Sequence, residues 1–166
     1  MLLDAYSQVT GVPTPFNQVG LGTGGLRPSG DYPLGTRAVQ LPDSLVVSRF
    51  LDAFGRAERA QTCSCERQQD ANVGQALHVN NGQTLNDKLR AKNSRLEQWV
   101  RENVSDEEAV NRLFVLALCR EPTASEKKKF KDLLAEMGGD KKTTRHEMLE
   151  DLFWAVLASK EFAFNR

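Results

Sequence analysis

Ser105-Asp106-Glu107-Glu108, Thr123-Ala124-Ser125-Glu126 and Thr144-Arg145-His146-Glu147 decide how this chain is read. Each places a hydroxyl three residues before a glutamate. At that spacing the hydroxyl takes an orphan amide of a starting helix while the carboxylate reaches back, so the pattern marks a helix N-terminus. An apolar stripe at helical spacing follows each one: Val110, Leu113, Phe114 and Ala117; Phe130, Leu133, Leu134 and Met137; Leu149, Leu152, Phe153 and Val156. Pro122 and Gly138-Gly139 supply the breaks. Residues 105–162 are therefore predicted to form a three-helix unit.

Working back from that unit, the spacing predicts helices over Ser94–Glu102, Gln83–Arg90 and Asn72–Val79. Another is predicted after Pro42, with Asp43 or Ser44 as N-cap, Leu45, Val46, Phe50, Leu51 and Phe54 on one face, and Gly55 as the stop. Residues 13–42 are rich in Gly and Pro and read as an extended loop region, in which only Arg37-Ala38-Val39-Gln40-Leu41 has the texture of a short extended piece. So long a loop is uncommon inside a compact domain, and is expected to wrap the surface or to pack on a neighbouring domain. Leu2, Leu3, Tyr6 and Val9 make residues 1–10 helical, and Gly11-Val12-Pro13-Thr14-Pro15 stops them. A sequence that starts inside a helix is expected to be cut from a longer protein. The expected fold is mainly α: one multi-helix orthogonal bundle over residues 1–166, with a long Gly/Pro-rich N-terminal loop and at most a minor β element.

Composition narrows the function classes. With 166 residues, 40% hydrophobic and 27% charged, the chain has the make-up of one globular domain. Lys+Arg 22 against Asp+Glu 22 leaves no net charge. That lacks the basic excess by which nucleic-acid binders neutralise phosphates. No apolar run reaches the ~20 residues of a membrane-spanning helix, and the N-terminus lacks the basic and apolar regions of a signal peptide. Neither nucleic acid nor membrane insertion is expected, and no small-molecule partner is legible.

Several strings invite chemistry. Gly20-Leu21-Gly22-Thr23-Gly24-Gly25 spells a dinucleotide fingerprint, but its mechanism needs a strand before it and a helix N-terminus after it. Prolines precede it and Arg27-Pro28-Ser29-Gly30 follows, so a flexible loop is the better reading. Cys63-Ser64-Cys65-Glu66-Arg67 is the sharpest local feature. One intervening residue is awkward for a closed tetrahedral zinc site, although His78 or Cys119 could add a ligand. A turn with packed thiols, or one of them paired with Cys119, is the plainer alternative. No Cys-x-x-Cys-His haem string occurs. His78, between Leu77 and Val79, reads as a hydrogen-bonded boundary histidine, because a base needs a positioned partner. His146, in a first helical turn, reads as solvated. Lys127-Lys128-Lys129, Lys131 and Lys141-Lys142 are offset by Glu126, Asp132 and Glu136 and read as a solvated face. Asn103-Val104-Ser105 spells a glycosylation acceptor, yet Ser105 is better used as a helix cap.

Taken in order, further segments carry a resemblance. They are Leu2-Leu3-Asp4-Ala5 with Val9–Pro13, Arg37–Asp43, Phe50–Arg56, Cys63–Arg67, Gln75–His78 with Asn81-Gly82, and Asp151–Phe162 with Phe164-Asn165. Over nearly its whole length the chain resembles the C-terminal domain of large planctomycete cytochrome c-associated proteins, domain of unknown function 1553. Ala57 and Asn80 depart from that pattern. The resemblance implies an exported or periplasmic multi-domain parent. It places no cofactor in this domain, allows a haem elsewhere in the parent, and makes the other domains of that chain the expected partners. It carries no catalytic residues.

The leading expectation is a non-catalytic structural or interaction domain, with the 13–36 stretch and Arg37–Phe54 making the contact. Two other readings stay open. One is a composite enzyme site shared with an upstream domain, with carbohydrate as a candidate substrate and Asp43, Arg56, Glu66 and Arg67 as candidate contributors. The other is a metal-binding module on Cys63 and Cys65.

Overall fold

The computed structural model describes residues 2–21, 24–41, 45–56, 73–138 and 144–164. The chain is mainly helical, with a single two-stranded antiparallel sheet among the described residues. It forms two compact units: the chain to Ser7 with Pro13–Thr84, and Gln8–Val12 with Leu85–Arg166.

The first unit begins with helix α1 (Leu2–Thr10), which continues into the second. Strand β1 (Gln18–Gly20) pairs antiparallel with β2 (Leu26–Pro28), Val19 opposite Arg27 and Gly20 opposite Leu26. The hairpin turns at Gly24, whose φ of +87° suits glycine, and Leu21 N–H donates to the Gly25 carbonyl at 2.8 Å. The loop expected over 13–42 thus contains a hairpin. Its expected extended piece is a 3-10 turn instead (Ala38–Gln40). The Asp4 carboxylate dictates this, accepting from the amides of Ala38 at 2.6 Å and Val39 at 3.3 Å. Gln40 Oε1 accepts from Arg37 N–H at 2.8 Å and completes the cap.

Helix α2 (Arg49–Ala53) starts later than expected. Its N-cap is Ser48, whose hydroxyl accepts from Leu51 N–H at 3.3 Å. Leu45–Val47 are taken up as a third partner of β1: Gly20 N–H donates to Leu45 at 2.8 Å, Val47 N–H to Gln18 at 2.9 Å, and Val19 bridges Val46. Asp43 and Ser44 lie outside the described residues. The stop at Gly55 holds. With φ +74°, it ends α2 by donating to Asp52, while Arg56 N–H reaches Leu51, the paired bonds of a Schellman motif. Helix α3 (Val73–Asn81) follows. Leu3, Tyr6, Phe16, Val19, Val46 and Phe50 are the buried core of this unit.

The second unit holds α4 (Gln83–Arg90, from Leu85 onward), α5 (Arg95–Arg101), α6 (Asp106–Leu118), α7 (Ala124–Gly138), α8 (Arg145–Leu157) and α9 (Lys160–Phe164). Two of the three expected capping boxes are reciprocal, at Thr123/Glu126 and Thr144/Glu147. At Ser105 the hydroxyl caps Glu108 N–H at 3.3 Å, but Glu108 turns outward to Arg112 at 2.7 Å. The stripes of α6 and α8 are buried as expected, and Trp99 of α5 packs on Phe153 at 5.2 Å between centroids. On α7 the stripe is narrower: Leu134 is buried and Leu133 exposed.

Candidate functional site

Of the candidate site residues read from sequence, His78 lies on α3 and Arg56 just beyond α2. Asp43, Cys63, Cys65, Glu66 and Arg67 lie outside the described residues. Both described residues belong to the α2–α3 region of the first unit.

Phe50 and Phe54 recur at i and i+4 and stack at 4.4 Å, 13° from parallel. Tyr6 meets Phe50 edge-on at 6.1 Å. His78 presents its ring edge-on to both phenylalanines, at 5.2 Å and 6.1 Å. Its Nε2 lies 3.1 Å from Thr84 Oγ1. That bond depends on Gly82: a Cβ there would lie 1.8 Å from the His78 carbonyl oxygen, so only glycine lets the chain turn this tightly from α3 to α4. Burial raises the Tyr6 phenol to about 12. Arg56 donates to Asp52 at 2.6 Å, and its Nη1 is buried with no hydrogen-bond partner among the described residues. A histidine oriented by a hydroxyl and two aromatic edges is a packed boundary residue, with no orienting carboxylate on it among the described residues. Among those residues no group of His, Cys, Asp and Glu is arranged to hold a metal ion. Cys119 is exposed, at the left-handed C-cap of α6.

Sequence reasoning missed the sheet surface. Val19 and Val46 face inward at 4% and 0% exposure. Leu26 and Leu45 both stand opposite Gly20, one on each side of β1, so they share its other face. Leu26 is 60% exposed and Leu45 48%. A two-sided sheet normally turns polar residues to water. Here two leucines flank a glycine, and Leu21, Leu34 and Val39 add exposed apolar surface elsewhere in the same unit. Of the fingerprint glycines, Gly20 lies in β1 and Gly25 just before β2. A strand rather than a helix follows them, so the hairpin lacks the helix N-terminus that the fingerprint's phosphate chemistry needs.

His146 also departs from expectation. Instead of pointing into solvent, it lies 3.3 Å from Glu97 of α5 and 4.0 Å from Glu150 of α8, and Arg90 holds Glu150 at 2.8 Å.

Among known proteins, the family described as PSD1, a protein of unknown function (DUF1553), matches residues 26–134. No curated protein and no solved structure matches the chain.

Proposed function

The chain belongs to the DUF1553 family, and from that premise we propose that it is a non-catalytic interaction domain, docking against another domain of an exported, cytochrome-associated parent protein. The observation that carries the reading is the Leu26–Gly20–Leu45 row. Covering a leucine fully stabilises by about 1.5–3 kcal/mol, and soluble domains rarely leave contiguous apolar surface open without a use for it. Strand addition at the β2 edge is disfavoured, because Pro28 has no N–H to donate. A partner therefore meets the face, with an apolar side chain seated over Gly20 between the two leucines. Export and cytochrome association rest on the sequence resemblance; so does the choice of a domain of the same parent as the partner.

Hydrogen exchange tests the reading. Amides of residues 18–21 and 45–47 should exchange more slowly in the multi-domain parent that the resemblance implies than in the 166-residue chain, and Leu26→Ser with Leu45→Ser should abolish the difference. Equal rates in both proteins would sink the proposal.

A further inference from the structure

The second unit carries a charge pattern that its own fold leaves mostly unpaired among the described residues. Helices α6 and α7 enclose a groove of about 490 Å³ lined by Asp106, Glu107, Val110, Lys128, Lys131 and Leu134, among others. Its walls are opposite in sign. Asp106 and Glu107 open α6, while Lys127, Lys128 and Lys131 stand on α7. The floor is aliphatic, formed by the buried Val110 and Leu134, and Leu133 lies exposed on the same helix as the lysines. Asp106 is engaged by Arg145 at 3.2 Å. Among the described residues, Glu107 and the three lysines form no ion pair.

Sorted charges of this kind choose their partner. A polyanion would face the acidic wall and a polycation the lysines, and like charges brought together across an interface are costly. A surface half positive and half negative is instead complementary to itself. Rotation by a two-fold axis along the groove lays the lysine wall of one copy over the acidic wall of the other, and every contact occurs twice. We propose that the α6–α7 groove is a self-association surface whose occupant is a second copy of this chain. Lys128 and Lys131 then face Asp106 and Glu107 of that copy across a closed aliphatic floor. The proposal is independent of the leucine row, which belongs to the other unit.

Sedimentation equilibrium tests it. The wild-type chain should self-associate reversibly to a dimer, more weakly as salt rises, because the pairs at the rim are screened. Glu107→Lys alone and Lys131→Glu alone should each weaken association by about tenfold, since each sets two like-charge pairs face to face. An equimolar mixture of the two variants should recover wild-type association, because each copy then offers the other its missing sign. A variant that misfolds could not be rescued by mixing, and circular dichroism of each variant checks the helices directly. A chain that stays monomeric at every concentration overturns the proposal. So do single variants that associate like wild type, or a mixture no tighter than its components.

Discussion

Gly82 helps to place His78 through the backbone. The missing Cβ lets the backbone after α3 pass against the His78 carbonyl, and that brings Thr84 within 3.1 Å of Nε2. Because the obstructing atom is backbone, it cannot rotate aside. Gly82→Ala should therefore destabilise by about 2 kcal/mol or more, in the range of substitutions that strain a fixed backbone, and the His78 side-chain resonances should shift with it. Gly30→Ala is the control. Nothing lies within 4 Å of a Cβ at Gly30, and its φ is not positive, so its urea midpoint should match wild type. Phe50 is the complementary case. Its ring contacts Tyr6, Phe54 and His78 at once, and Phe50→Ala should cost about 3–5 kcal/mol by opening a cavity beneath all three.

At the scale of elements, one helix end is completed by a charge from another helix, and one arginine clasps two further helices. Helix α1 has no basic residue in its last turn. Its terminal carbonyls are met from α5, with Arg95 donating to Val9 at 3.0 Å and Gln8 at 3.3 Å. Beyond the end of α1, the buried Lys88 of α4 donates to Val12 at 2.7 Å. Arg95→Ala should destabilise by about 1–3 kcal/mol, the range for losing charged hydrogen bonds to carbonyls, as read from a denaturation midpoint. Arg120, just beyond α6, ties Glu126 of α7 to Glu161 of α9 with both arms of its guanidinium and lies 5.2 Å from the Phe114 ring centre. Its hydrogen bonds hold the Glu126 carboxyl down at about 2, from an ordinary 4.5, and the Glu161 carboxyl below its usual range. Both carboxylates bind protons less readily folded than unfolded. They therefore add stability that is complete above pH 4.5 and lost as pH falls toward 2. Arg120→Ala should flatten the acid limb of the stability curve over that window; an unchanged acid slope would refute the clasp. These elements also show what sequence can reveal. The starts of α6, α7 and α8 were legible because a cap is a local signal, carried within four residues. The 3-10 turn at Ala38 was not, since the carboxylate that shapes it belongs to Asp4 on another helix. The late start of α2 was hidden for the same reason: β1 claims Leu45–Val47 before a helix can. His78 was recognisable as a hydrogen-bonded boundary residue, but its partner Thr84 and the leucine row depend on turns and pairings that periodicity does not encode.

Across the whole molecule, the two units are built from unequal material. Among the described residues, the first combines the start of α1 and the nine-residue α3 with strands of three residues, a five-residue helix and an aromatic cluster. The second buries apolar stripes along two thirteen-residue helices, with Leu113, Leu149, Phe153 and Leu157 almost wholly enclosed. Opening free energy follows buried apolar contact and shielded backbone hydrogen bonds, so the units should not exchange alike. Native-state hydrogen exchange of the isolated chain should find the slowest amides in the middle of α6 and α8. Those of β1, β2 and α2 should exchange faster by at least about a hundredfold, a gap of roughly 2.7 kcal/mol in opening free energy. Uniform protection across both units would contradict this and mean that they open only together. The gap bears directly on function. A short, weakly protected hairpin with leucines turned to water is stabilised most by a partner that covers it, because covering also suppresses its opening. The proposed docking should therefore raise protection in β1 and at residues 45–47 while leaving the middle of α6 and α8 unchanged, a pattern that global stabilisation of the chain would not produce.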